Sequence, residues 1–372
     1  MKVIFTCGGT GGHINPAIAV ANVLKERDPD CQILFIGGRG GMEEDLVPRA
    51  GFPMECIPVA GLSRQLNWKG LKWNMKVPGI VRQAIRDCKR IIQQFQPDVI
   101  VGTGGFASFP ALYAGSRMGV PVCVHESNAV PGLTTKLIAN RADKVLVCFE
   151  ESACHYRHSE RVEVVGMPVR REFMSTDRQA AREQLGLDSR PLVVSAYGSL
   201  GAKVMNEMTL ELFRLEQEAG YPFQHIHATG TFGWEWMPEK LKQMQIRTEG
   251  GIDMRQYIYN MPTVMAAADV IISRAGASSC NEIGASGTPC IMIPSPNVTN
   301  HHQEKNAAIL ESRGAAVVLQ ENSCDAQELF DAITALLGDS QKRKSMSVSL
   351  RDMVILDSAE QICDRIQTLA QK

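Results

Sequence analysis

The chain has 372 residues, 44% of them apolar and 21% charged, with a formal net charge of −1. That length allows two or three domains with hydrophobic cores of their own, and the near-neutral balance excludes the global positive field of a nucleic-acid binder. The opening stretch "MKVIFTCGG" is short and runs into glycine without a cleavage pattern, so it does not read as a signal peptide. No run approaches the roughly 18 apolar residues that a spanning helix needs. The 11 cysteines form no C-x-x-C pair, and several (Cys7, Cys123, Cys148, Cys290) lie inside strand-like or helix-like segments. They read as buried thiols in a reducing cytoplasm rather than as disulfides or metal ligands.

Short, apolar, β-branched runs alternate with segments of helical period. Strands are expected at 3–7, 33–36, 99–102, 120–124 and 144–148, with helices such as 16–25 and 110–117 between them. The stretch "GMPVRREFMSTDRQ" at 166–179 breaks the rhythm and reads as a linker. A second series follows, with strands at 192–196, 223–229, 270–273 and 289–293, and the chain ends in a helical pattern over 358–372. Apolar strands alternating with helices predict parallel sheets covered on both faces. The expected fold class is therefore α/β, with one domain over 1–165 and a second over 166–355. A last helix, about 356–372, is placed to pack back on the first. A cleft between two such domains is a favoured ligand site.

Four glycine-rich turns stand directly after strands: "GGTGGH" at 8–13, "GTGGF" at 102–106, "YGSLGA" at 197–202 and "RAGASSCNE" at 274–282. In an open parallel sheet ligands sit at the carboxyl ends of the strands, so all four lie on a functional edge. Glycine lets backbone N–H groups approach an anion, and a helix N-terminus adds unpaired donors and partial positive charge. Phosphate-bearing ligands are expected. None of the turns spells a P-loop or a clean G-x-G-x-x-G, which argues against a P-loop nucleotidase and a dinucleotide oxidoreductase. The acidic pair Asp28 and Asp30 falls at the opposite sheet edge and reads as a surface turn. Diphosphate charge would thus meet backbone donors and cations, without a metal. Glu282, one turn into the helix after the last of these strands, can accept hydrogen bonds from both hydroxyls of a ribose; the plainer alternative is a first-turn acid that favours the helix dipole.

The pieces "GGTGGH", "GTGGFAS" (102–108), "HESNAVPGLTTK" (125–136), "GMPVR" (166–170), "YGSLGA", "RAGASSCNEI" (274–283) and "HHQEKNA" (301–307) occur in this order. Together they resemble the MurG family of lipid II-forming N-acetylglucosaminyltransferases of bacterial cell-wall synthesis, over nearly the whole chain. The resemblance implies a GT-B fold, two Rossmann-like domains separated by a deep cleft. It implies transfer of N-acetylglucosamine from UDP-N-acetylglucosamine to the 4-hydroxyl of the muramyl sugar of lipid I. Transfer would invert the anomeric centre, need no cofactor or tightly bound metal, and occur peripherally at the cytoplasmic face of the inner membrane. On matching positions, Ile258 would lie against the uracil, Ala277, Ser278, Ser279, Cys280, Asn281 and Glu282 would line the nucleotide, and Glu282 would take the ribose. Ser199 and Arg170 would contact the donor at the diphosphate, and Gln303 would hold the sugar. Thr10, Gly11, Gly12 and Asn128 would border the sugar and acceptor. The first two glycine loops, with Gly104 and Gly105, would receive the acceptor's diphosphate. Tyr197, Met167 and His302 depart from the usual pattern, which touches fine donor geometry only.

An inverting transfer needs a base for the attacking hydroxyl and stabilisation of the departing diphosphate. His13 is the first candidate base, because a helix N-terminus disfavours imidazolium and keeps the ring neutral; it could instead only hydrogen-bond substrate or cap its loop. Glu126 is the second candidate, and could equally fix the loop around Asn128. His125 reads as structural, His155 and His158 as a surface loop, and His225 and His227 as strand residues without function. Residues 62–90 carry eight Lys/Arg and one acid, interleaved with Trp and Leu. That suits an anionic membrane interface, while Val81 and Ile85 suggest that part of the segment packs on the sheet. Two competing readings are a UDP-N-acetylglucosamine 2-epimerase of the same fold and a non-catalytic nucleotide-sugar binder.

Overall fold

The computed structural model describes residues 1–61, 67–198, 200–298 and 301–371, with the backbone alone at Lys69. The chain divides into two compact units: Met1–Val169 with Ile355–Lys372, and Arg170–Val354. The first unit runs past residue 165 because the next residues are fastened to it. The His125 Nε2–H donates to the Gly166 carbonyl at 2.8 Å. Gly166 has φ 73°, and a Cβ there would stand 2.8 Å from the Cβ of Ile355.

In the first unit, β1 (Lys2–Thr6), β2 (Gln32–Gly38), β3 (Met54–Ile57), β4 (Val99–Gly102), β5 (Val122–Glu126), β6 (Lys144–Val147) and β7 (Val162–Val164) form one parallel sheet. Their order is β3-β2-β1-β4-β5-β6-β7. One face is covered by helices Gly11–Arg27 and Ser358–Ala370, the other by helices Trp68–Phe95 and Phe109–Met118. Helix Ser358–Ala370 buries Ala359, Ile362, Cys363, Ile366 and Leu369, the three-and-four spacing of an amphipathic helix. Arg27 Nη1 to Asp364 (2.6 Å) and Arg365 Nε to Glu163 (2.8 Å) tie its polar side down.

In the second unit, β8 (Leu192–Ala196), β9 (Gln224–Ala228), β10 (Ile252–Arg255), β11 (Val270–Ser273), β12 (Cys290–Met292) and β13 (Val317–Val318) run parallel in the order β10-β9-β8-β11-β12-β13. Both sheets reverse direction of growth once. In the first the chain steps outward from β1 through β2 to β3, then returns to the other side of β1 with β4. In the second the same reversal falls between β8 and β11. Such switch points open a crevice at the strands' carboxyl ends. The four glycine turns follow β1, β4, β8 and β11, so they meet in two pairs, one pair at each switch point.

The expected strand 120–124 is shifted to Val122–Glu126, in register with β4 through Ile100 and Val122. The shift places Glu126 at the strand's carboxyl end. The expected helix 16–25 begins earlier, at Gly11, which brings His13 into its first turn.

Candidate active-site residues

At the first switch point the two glycine loops interlock. Gly104 and Gly105 have φ of 104° and 81°, and a Cβ on Gly105 would lie 2.0 Å from the carbonyl oxygen of Gly8. Only glycine permits both the conformation and the approach. Thr10, extended at φ −149°, precedes helix Gly11–Arg27, and no side chain caps it. His13 Nδ1 faces the Thr103 carbonyl at 3.1 Å, and the Thr103 hydroxyl donates back to the His13 carbonyl at 2.6 Å. A carbonyl only accepts, so Nδ1 carries a proton, and in the neutral ring Nε2 is the basic nitrogen.

Glu126 is buried at the end of β5. Its Oε1 accepts from the Asn128 backbone N–H (3.0 Å) and side-chain amide (3.1 Å), and its Oε2 from the Gly132 N–H (3.0 Å). Both oxygens brace the loop 127–132, which positions Asn128. His125 is buried beside it, and desolvation pushes its pKa down, so it stands as a neutral ring bonded to Gly166.

At the second switch point, helix Ala277–Ser286 follows β11 with Gly276 at its N-cap and no side-chain cap. The loop before it is held by buried groups. Arg274 pairs with Glu321 and donates to the Ile293 carbonyl at 3.0 Å, and Asn306 donates to the Ala275 carbonyl at 3.1 Å. Ala277, Cys280 and Asn281 are buried, with the Asn281 amide bonded to the Ala277 carbonyl at 2.9 Å; Ser278 and Ser279 are half-buried. Desolvation raises the Glu282 carboxyl to about 7, opposed by the positive charge of Arg170. Exposed Arg170 stacks its guanidinium 5.0 Å from the centre of the Phe173 ring. Gln303 Oε1 accepts from the Ser295 N–H at 2.8 Å. Ile258 is 2% exposed, between the exposed, edge-to-face rings of Tyr257 and Tyr259. Ser199 lies outside the described residues. A cavity of about 690 Å³ in this unit, lined by Asn206, Phe232 and Trp236 among others, touches the third glycine turn at Gly201 but contains none of the individual donor-site residues expected from the sequence.

Residues 3–147 match the Glycosyltransferase family 28 N-terminal domain, and residues 192–362 the Glycosyltransferase family 28 C-terminal domain. The UDP-N-acetylglucosamine–N-acetylmuramyl-(pentapeptide) pyrophosphoryl-undecaprenol N-acetylglucosamine transferase of Acetivibrio thermocellus is 38% identical over 99% of this chain and 98% of its own. The chain belongs to this transferase family. A crystal structure of MurG from Acinetobacter baumannii matches with a TM-score of 0.78 at 27% identity, covering 99% of each chain. The expected two-domain GT-B fold class is thereby borne out. A putative UDP-N-acetylglucosamine 2-epimerase from Listeria monocytogenes matches with a TM-score of 0.72, over 99% of this chain and 96% of that one, at 13% identity. That likeness is one of fold alone.

Within this MurG-type chain the structure also assembles a polar cluster that sequence reasoning dismissed. Ser195 Oγ lies 2.7 Å from His225 Nε2 and 2.7 Å from His227 Nδ1, and His225 Nδ1 lies 2.7 Å from Glu216 Oε1. All four side chains are fully buried. The available signal was the alternation of His225 and His227 on β9 together with a serine inside the otherwise apolar β8. On a strand covered on both faces, two histidines of one face must find partners in the interior.

Proposed function

We propose that the chain transfers N-acetylglucosamine from UDP-N-acetylglucosamine to the 4-hydroxyl of the muramyl sugar of undecaprenyl-diphosphate-linked MurNAc-pentapeptide, lipid I, giving lipid II. Transfer inverts the anomeric centre and uses no bound metal. The observation that carries the mechanism is the His13–Thr103 clasp. It fixes Nε2 as the basic nitrogen at the switch point of the first unit, and this reading assigns the acceptor to that switch point. There His13 takes the proton of the attacking hydroxyl. Thr10, Gly11, Gly12 and Asn128 border the acceptor, and the loop of Gly104 and Gly105 faces its diphosphate.

The second unit takes the donor. Ile258 lies against the uracil, and residues 277–282 flank the nucleotide. The N–H groups opening helix Ala277–Ser286, with Arg170 and Ser199, stabilise the charge of the departing diphosphate. Gln303 holds the sugar through its amide, and Glu282 accepts from the ribose hydroxyls. The decisive assay incubates the purified protein with UDP-N-acetylglucosamine and lipid I, with and without EDTA. Lipid II formation unchanged by EDTA is expected. No transfer rejects the activity, and transfer abolished by EDTA rejects the metal-free mechanism.

Glu282 makes donor binding pH-dependent. Only its ionised form can accept from both hydroxyls, and its pKa of about 7 leaves a mixture near neutrality. UDP-N-acetylglucosamine affinity should rise about tenfold from about pH 6 to about pH 8, the ratio of ionised fractions for such a group. Calorimetry without acceptor measures this, and Glu282→Gln should both weaken binding and flatten the profile. A wild-type affinity independent of pH would remove Glu282 from the ribose.

The lipid-linked acceptor brings the protein to the anionic membrane surface through the segment 62–90, at the cytoplasmic face. Among the described residues no helix is long and apolar enough to cross a membrane. Helix Trp68–Phe95 divides its surface between two tasks. Val77, Ala84, Cys88, Ile91 and Ile92 are buried, and all but Val77 pack in the core against the sheet. Its first turns expose Trp68 (80%), Leu71, Trp73 and Met75 (65%), with Lys72 and Lys76 beside them. Trp73 Nε1 donates to the Gly61 carbonyl at 2.9 Å, and exposed Phe106 adjoins Gly61, which widens the apolar patch. Residues 62–66 lie outside the described residues. Charge reversal of Lys69, Lys72 and Lys76 should weaken sedimentation with phosphatidylglycerol vesicles by about 100-fold or more, at about 1 kcal/mol per cation. Unchanged vesicle binding would reject this surface.

A further inference from the structure

A buried carboxylate lies behind the first glycine loop. Glu43 opens the helix Glu43–Arg49, and its side chain is turned inward with 1% of its surface exposed. Its Oε2 accepts from the Gly9 N–H at 3.2 Å, and its Oε1 from the Gly38 N–H at 2.8 Å. The two bonds join the loop after β1 to the end of β2.

The surrounding glycines make room for this group. A Cβ added at Gly8 would stand 2.3 Å from Glu43 Oε1, at Gly41 2.5 Å from Oε2, at Gly37 2.6 Å from Cγ and at Gly38 3.1 Å from Oε1. Gly8 and Gly9, the first glycines of "GGTGGH", are therefore committed in part to a carboxylate of the protein itself. The Gly9 N–H would otherwise be the first donor the loop could offer to an anion, and it is already bonded. An acceptor diphosphate must then meet donors further along, at the start of helix Gly11–Arg27. The Gly8 carbonyl, which shares one rigid peptide group with the Gly9 N–H, is also the group against which Gly105 packs. Holding Gly9 therefore also holds the contact between the two glycine loops that His13 and Thr103 clasp.

We propose that Glu43 is a positioning residue for the transfer reaction: by bonding Gly9 it fixes the glycine loop in the conformation that sets His13 against Thr103 and leaves later backbone donors to the acceptor. The inference rests on the acceptor-side reading of this loop given above.

The test compares wild type with Glu43→Gln, which keeps the shape but turns an amide toward one of two N–H donors, and with Glu43→Ala. For Glu43→Gln we expect kcat/KM for lipid I to fall by about 10-fold to 100-fold, the range for losing a hydrogen bond to a charged group and with it part of the alignment of the loop. UDP-N-acetylglucosamine affinity, measured by calorimetry, should stay within about twofold, because a loop-positioning role does not reach the donor. Hydrogen exchange over residues 7–13 should quicken in the same variant. Wild-type lipid I kinetics with unchanged exchange would overturn the proposal, as would a matching loss of donor affinity, which marks a general folding defect. If Glu43→Ala does not fold, Glu43→Gln alone decides. Wild-type protein without transfer activity would instead reject the proposed function, and the exchange experiment would still report whether Glu43 holds the loop.

Discussion

His13→Ala is expected to lower kcat by about 100-fold or more while leaving UDP-N-acetylglucosamine affinity unchanged, because general-base catalysis supplies about that factor and the proposed function puts His13 on the acceptor side. The geometry makes the substitution specific. His13 reaches the Thr103 carbonyl through Nδ1, and Thr103 returns a bond to the His13 backbone, so the second bond survives loss of the ring. The loop should therefore keep much of its shape, and the loss should fall on turnover. Steady-state kinetics at saturating donor and acceptor would measure it. Near-normal turnover would exclude His13 as the base. Glu126 is the poorer substitute, since its two oxygens already accept three hydrogen bonds from the loop that carries Asn128.

Glu216→Ala is expected to destabilise the second unit by about 3–5 kcal/mol, the usual consequence of removing one partner from a buried, hydrogen-bonded ionisable pair. The hydroxyl of Ser195 has one proton to share between His225 Nε2 and His227 Nδ1. It can donate to only one of them, so the other ring must donate to it. Glu216, accepting at His225 Nδ1, anchors one end of this chain of bonds, and its loss leaves a buried donor unmet in a low-dielectric interior. Phe213, packed near-perpendicular to both rings with centroids 5.0 and 5.8 Å away, allows little rearrangement. Denaturant unfolding of the full chain would register the loss as an earlier transition of this unit. A shift below about 1 kcal/mol would show that the cluster relaxes freely. Acid should act in the same direction. Burial holds the His227 pKa well below the ordinary value, so the stability of its neutral form is present above about pH 6.5 and is lost as pH falls toward the folded value.

The interior of both sheets could be read from the chain, and their borders could not. Strands β3, β7, β10 and β13 went unanticipated, and these four are the outermost strands of the two sheets. An inner strand is covered on both faces and shows an unbroken apolar run, as in Ile4 and Phe5 or Val193 and Val194. An outer strand is half-solvated, and carries Glu55, Glu163, Asp253 or Arg255 in the places an apolar run would need. In β13, two residues are too few for any period to show. The candidate site was legible in the same uneven way. Glycine turns after strands announced its position, because that conformational demand is local. Their pairing at two switch points needed the strand order. The clasp of His13 by Thr103, the brace role of Glu126 and the carboxylate of Glu43 join residues 90, 6 and 34 positions apart in sequence, and only the second, within a single loop, leaves a local trace.

Helix Ser358–Ala370 completes the first unit with residues that are translated after the whole of the second. On a ribosome, the face of helix Gly11–Arg27 and β1 that will meet Ile362, Ile366 and Leu369 therefore stays open while the other unit is being made and can already fold. The nascent chain carries an apolar surface for that interval, a natural place for a chaperone to hold it. A shortened chain that stops near residue 355 would carry the same open face permanently, and its defect would surface in the half of the protein farthest in sequence from the cut.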